Sequence, residues 1–193
     1  MSECVKVLRD ELPYNLHIFV NSVEFIAKVI DTLKLAPEAV KVVCSTSGES
    51  RQENQRKLGN AYPIGQPSDP AKKINFYTST CFEGCDIFDP DGVTFIVSDG
   101  RKAHTLLDIS TLFTQICGRI RDSRYKTQIV HVYSTTKYSK AVTLDEFVAA
   151  TQRTLADAES YAAEINSLSE ATRVKTLSKI PYINEQYVRI VNN

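Results

Sequence analysis

Strand-like and helix-like segments alternate along the first two thirds of this chain, and that alternation restricts its fold more than any other feature. Short apolar runs rich in β-branched and aromatic residues occur at 16–20, 40–44, 74–78, 93–97 and 128–133. Two of the intervening stretches carry apolar residues at helical spacing: Val23, Ile26, Ile30 and Leu33 in one, and Leu106, Ile109, Leu112, Phe113, Ile116 and Ile120 in the other. The strand runs are close to continuously apolar, as in a parallel sheet covered by helices on both faces. The predicted class is therefore α/β.

Local signals refine this outline. Asn21 and Ser22 follow the first strand and can cap the next helix, with Glu24 placed for a capping-box contact. The small polar residues Ser45, Thr46, Ser47 and Gly48 lead into a polar helix over 49–58 that Gly59 can end. Asp89, Pro90, Asp91 and Gly92 compose a turn. Beyond Thr143, the residues Leu144, Phe147, Val148, Leu155, Ala158, Ala162 and Ile165 predict one long amphipathic helix with an acidic surface, before a shorter segment broken at Pro181. The division expected is a sheet domain, 1–140, and an all-helical extension, 141–193.

At 193 residues the chain is the size of one domain with an appendage. Its 23 basic and 23 acidic residues balance, so total charge favours neither a nucleic-acid nor a membrane partner and must be read by segment. No apolar run reaches the roughly 18 residues of a membrane span, and no signal-peptide core follows the start. A cytoplasmic protein without a membrane partner is expected. Cys4, Cys44, Cys81, Cys85 and Cys117 are irregularly spaced and read as reduced thiols. Cys81 and Cys85 have no second Cys or His pair beside them, so buried filler is preferred to a metal site.

In an open α/β sheet, ligand-contacting groups gather beyond the carboxyl ends of the strands. Those loops hold Asn21 and Ser22, then Thr46, Ser47 and Gly48, then Thr78, Ser79 and Thr80, then Asp99, Gly100, Arg101 and Lys102. Small donors of this kind suit phosphate oxygens, although they also suit turns. From Arg101 to Lys126 six cations face two carboxylates, so an anionic partner fits this segment. Three of the cations, Arg119, Arg121 and Arg124, lie near a predicted helix end, where the macrodipole also favours them. Arginine's planar, permanently charged fork matches a phosphoryl group. No GxxxxGK[ST] loop or strand-anchored GxGxxG is present, and no Ser-His-Asp order, HExxH or GxSxG stands out. His17, His104 and His131 read as core or surface residues.

Thr78, Gly84 and Asp86 within 78–87, followed by Gln115, Gly118, Arg119 and Arg121, resemble motifs V and VI of superfamily 2 helicases of the DEAD/DEAH type. Residues 17–22 resemble motif IV, and the segment 18–134 resembles the whole second, C-terminal RecA-like domain of that family. The resemblance implies a RecA-like parallel sheet, with ATP and Mg2+ bound only together with a first RecA-like domain, on this or another chain. It implies that Arg119 is an arginine finger, with Gln115 and Arg121 also catalytic. Gly84 and Asp86 match positions lining the nucleotide. Asn21, Ser22, Thr46, Ser47, Gly48, Thr78 and Ser79 match contacts to a DNA or RNA backbone, which are largely independent of sequence. The pattern departs from the commoner motif VI at Asp122, where a second arginine is usual; QxxGRxR spacing is similar to a minority that includes viral origin-binding-type helicases.

Walker A and Walker B residues are missing from these 193 positions, so the chain alone is expected to be inactive as an ATP hydrolase. The first expectation is a helicase C-terminal domain supplying the finger and part of the nucleic-acid track. The alternative is a stand-alone, non-catalytic nucleic-acid-binding module using the same loops. A doubly wound small-molecule enzyme lacks both a catalytic pair and a cofactor fingerprint.

Overall fold

The computed structural model describes residues 2–134 and 142–177. They fall in two compact units, Met1–Thr136 and Lys137–Asn193. The first begins with helix α1 (Ser2–Leu8) and then alternates: β1 (Asn15–Phe19), α2 (Val23–Leu33), β2 (Val40–Val43), α3 (Gly48–Leu58), β3 (Ile74–Tyr77), β4 (Gly92–Asp99), α4 (Thr114–Cys117) and β5 (Ile129–Ser134). All strand pairs are parallel, and the sheet order is β2-β3-β1-β4-β5. The chain is α/β, with a RecA-like parallel sheet flanked by helices.

Alternation along each strand divides the core in two. On one face, Leu16, Ile18, Val42, Phe76, Val93 and Phe95 pack with Val7 of α1, Ile26 and Ile30 of α2, and Leu58 of α3. On the other, Phe19, Val43, Tyr77 and Ile96 meet Cys81, Phe82, Ile87, Ile116 and Ile120. The second face is thus covered by the connections after β3 and β4, the segments that hold Thr78, Ser79, Gly84, Asp86, Gln115, Arg119 and Arg121.

Each strand appears within two residues of its predicted position, and the small differences are local. Ser22 caps α2 by accepting from the Phe25 N–H, but Glu24 occupies the second helical position rather than the third, so the expected capping box is not made. Gly59 ends α3 with φ +79° and its N–H on Gln55 O, as its position predicts. The larger departure is the helix expected from Leu106 to Ile120. A 3₁₀ turn occupies Ala103–Thr105, Asp108 caps a π-helical turn at Ile109–Phe113, and only Thr114–Cys117 is α-helical before Gly118 stops it. Asp108 accepts from Thr111 N–H and Ser110 Oγ, and Thr114 Oγ donates to Ile109 O; these bonds start the helix late and widen its first turn. Ile120 instead forms a parallel bridge with Ile87.

The second unit contains the predicted long helix, α5 (Leu144–Ser167), then α6 (Glu170–Leu177). Thr143 and Glu146 close a capping box at the start of α5. The predicted break at Pro181 lies outside the described residues. No helix among the described residues is long and apolar enough to cross a membrane.

Candidate functional site

The strand order places β2, β3 and β1 side by side, which brings three of the candidate loops together at the carboxyl end of the sheet. Thr46, Ser47, Gly48 and Ser79 are exposed there. Gly48 takes φ +50°, which a glycine adopts without strain. Asn21 and Ser22 are used differently. Asn21 Nδ2 donates to His104 O at 2.8 Å, and Asn21 Oδ1 accepts from Ser79 N at 3.4 Å, so this amide fastens the loops after β1, β3 and β4 to one another. Ser22 spends its hydroxyl on the α2 cap. Thr78 is buried, with Thr80 Oγ 3.4 Å from its own hydroxyl.

The six cations between Arg101 and Lys126 are not one open patch. Arg101 bonds to Asp99, and its guanidinium, its main-chain N–H and Ser134 Oγ together hold the Asp99 carboxyl down to about 2. Arg121 Nε pairs with Asp86 at 2.7 Å, and Arg124 pairs with Asp91. Arg119 stands apart: it is only 8% exposed, and among the described residues no carboxylate pairs with it. Its Nε donates to Gln115 O at 2.9 Å, Nη1 to Cys85 O at 2.9 Å, and Nη2 to Gln115 Oε1 at 2.8 Å.

Those three bonds occupy three of the five donors of a guanidinium and supply no compensating charge. Burying a cation without a counter-charge has a desolvation cost, offset here by those three hydrogen bonds and by the carbonyl end of α4. The helix-end role anticipated from sequence is therefore real, and an anion arriving at the two remaining donors would supply the missing charge. Main-chain bonds lock the same two segments: Ile87 N–H donates to Arg119 O at 2.9 Å, and Arg121 N–H to Ile87 O at 3.0 Å. Gln115, Arg119 and Arg121 are thereby brought beside Cys85 and Asp86. Gly84, with φ +72°, makes the exposed bend that leads into them. Among the described residues no three His, Cys, Asp or Glu side chains converge as metal ligands.

A second polar assembly escaped sequence reading. Lys41, Asn75, His17 and Thr94 stand in register across β2, β3, β1 and β4, all buried. Lys41 Nζ donates to Asp69 O at 2.7 Å and sits 5.7 Å from the centre of the Tyr77 ring. Asn75 Nδ2 donates to Leu16 O and to Lys72 O. His17 Nε2 lies 2.8 Å from Asp89 Oδ2, and His17 Nδ1 lies 3.0 Å from Tyr77 Oη. One signal was available: four of the five apolar runs carry a polar residue, His17, Lys41, Asn75 or Thr94, at their second position.

Burial drives His17 below its ordinary value of 6.5, against the opposing pull of Asp89. Burial alone would raise Asp89, but hydrogen bonds from His17, Asn15 and the Asp91 N–H hold it below 3.8. Neutral His17 thus donates from Nε2 to a charged Asp89 and accepts the Tyr77 hydroxyl proton at Nδ1. The group is inaccessible to substrate, so it fastens β1, β3 and the turn before β4. Below 6.5 the unfolded chain takes up a proton at His17 more readily than the folded chain does, so acid favours unfolding. Asp89 adds to the loss only below 3.8. Urea unfolding is expected to show stability falling as pH is lowered from about 7 to 5, and His17→Gln should flatten that slope.

Comparison with protein-family models, with curated proteins and with solved structures finds no match to this chain.

Proposed function

We propose that this chain is the second, C-terminal RecA-like domain of a cytoplasmic superfamily 2 nucleic-acid helicase. It completes an ATP site whose Walker A and Walker B residues and Mg2+ belong to a first RecA-like domain. The observation that carries this reading is Arg119, a permanent charge more than nine-tenths buried, held by three neutral acceptors and neutralised by no carboxylate among the described residues. Such a group is oriented before its anion arrives, which is what stabilisation of a dispersed phosphoryl charge requires.

Within the site, Gln115 and Cys85 O aim Arg119, and Arg121 steadies Asp86 beside Gly84. ATP, bound against the first domain, supplies the phosphoryl transfer that powers movement. Thr46, Ser47, Gly48 and Ser79 contact the sugar-phosphate backbone of DNA or RNA from their exposed, adjacent loops. Asn21 holds those loops in place.

The test joins this chain, in one polypeptide or as a mixture, to the Walker domain and measures ATP hydrolysis with and without single-stranded DNA or RNA. Hydrolysis that needs both domains and rises with nucleic acid supports the proposal. Hydrolysis indifferent to this chain overturns it. Salt-sensitive oligonucleotide binding with no effect on hydrolysis would instead identify a stand-alone binding module.

A further inference from the structure

We infer that Cys81 and Cys85 are a modification site, which a hydroperoxide oxidises to an intramolecular disulfide that detaches Arg119 from its loop. The pair brackets the bend at Gly84, whose φ of +72° turns the chain back on itself. Cys85 Sγ donates to Cys81 O at 3.3 Å, which brings the Cys85 sulfur back onto residue 81. Both pack into the same apolar cluster, Cys81 at its centre and Cys85 at its edge. Cys81 is fully buried, so solutes do not reach it directly. Cys85 is half-buried and is the sulfur that an oxidant reaches.

The reaction balances in two steps. The hydroperoxide ROOH passes one oxygen to Cys85, giving Cys85–SOH and ROH. The Cys81 sulfur then attacks the Cys85 sulfur; the S–S bond forms, the S–O bond breaks, and the Cys81 proton leaves with the hydroxyl as water. Two thiols lose two electrons, and the hydroperoxide takes them up.

The consequence passes through the Cys85 backbone. Its carbonyl accepts Arg119 Nη1, and drawing the Cys85 sulfur off the Cys81 carbonyl to bonding distance of the Cys81 sulfur, about 2 Å, turns Cys85 inward and withdraws its own carbonyl. The neighbouring bonds between Ile87 and Arg119 and between Arg121 and Ile87 then loosen. This inference does not depend on the helicase reading, because it concerns only the loop and the arginine that the loop holds.

The experiment treats the full chain with hydrogen peroxide, cleaves it after Glu83, and then adds dithiothreitol. Support requires that the fragments flanking Glu83 stay joined after oxidation, two hydrogens lighter, and separate on reduction. Amides of Ile87 and Arg121 should exchange with deuterium roughly tenfold faster in the oxidised form and recover on reduction. Cys81→Ser and Cys85→Ser should abolish both effects; should Cys81→Ser fail to fold, Cys85→Ser serves as the control. Oxidation of Cys85 to a sulfinic acid, pairing with Cys117 or a second molecule, or joined fragments with unchanged exchange would each overturn the inference.

Discussion

Arg119→Ala is expected to lower nucleic-acid-stimulated ATP hydrolysis by the joined domains by about a thousandfold, the lower end of what arginine fingers contribute. Binding of an oligonucleotide by the Thr46–Gly48 and Ser79 loops should stay near its original strength, because Arg119 touches neither loop. The substitution also removes three hydrogen bonds from a charged donor, leaving Cys85 O and Gln115 Oε1 short of a partner. Unfolding should therefore become easier by about 1–3 kcal/mol. Arg119→Lys separates the two contributions. It keeps the charge but cannot reach Gln115 O, Gln115 Oε1 and Cys85 O together, so it should recover part of the stability and little of the turnover. Steady-state ATPase and urea unfolding on the three proteins check both statements. Full activity in Arg119→Ala would remove Arg119 from the reaction.

Gly92→Ala is expected to be the most disruptive single-methyl change in the sheet. A Cβ there would lie 2.9 Å from both Cδ2 and Nε2 of His17 and 3.3 Å from Asp89 Cβ. The ring cannot step aside, because Tyr77 and Asp89 hold both of its nitrogens and it is fully buried. Overpacking at such a pinned site should cost about 2–3 kcal/mol. In the His17→Ala background only the 3.3 Å approach to Asp89 Cβ remains, and the same substitution should cost less than about 1 kcal/mol. A double-mutant cycle by denaturant unfolding measures the difference. Equal costs in both backgrounds would mean that the turn moves to accommodate the methyl group.

Parallel strands buried on both faces leave a plain trace in sequence, and β1 to β4 were legible for that reason. The amphipathic spacing of α2 and the capped start of α5 were equally direct. The segment after β4 misled because Leu106, Ile109 and Leu112 keep helical period although the helix starts only beyond Asp108. Ile109 is 76% exposed, so periodicity there does not report burial. His17 and Asp89 are 72 residues apart, and only the fold shows that the turn at Asp89 is also a ligand for a buried imidazole. Arg119 could be singled out from its neighbours in sequence. Its grip on Cys85 O, and the commitment of Asn21 to His104 and Ser79, depend on loops meeting across the sheet.

The first strand of the chain lies in the middle of the sheet, with β3 on one side and β4 on the other. As the polypeptide leaves the ribosome, β1 therefore emerges with both hydrogen-bonding edges open, and it waits for partners that are made much later. Its neighbours in sequence, α2 and β2, cannot close either edge. Assembly of the sheet is thus a late, long-range event rather than a stepwise growth from β1. A chain arrested before Gly92 would leave the β4 edge of β1, with Ile18 and Phe19, unpaired, a target for the chaperones that attend nascent proteins.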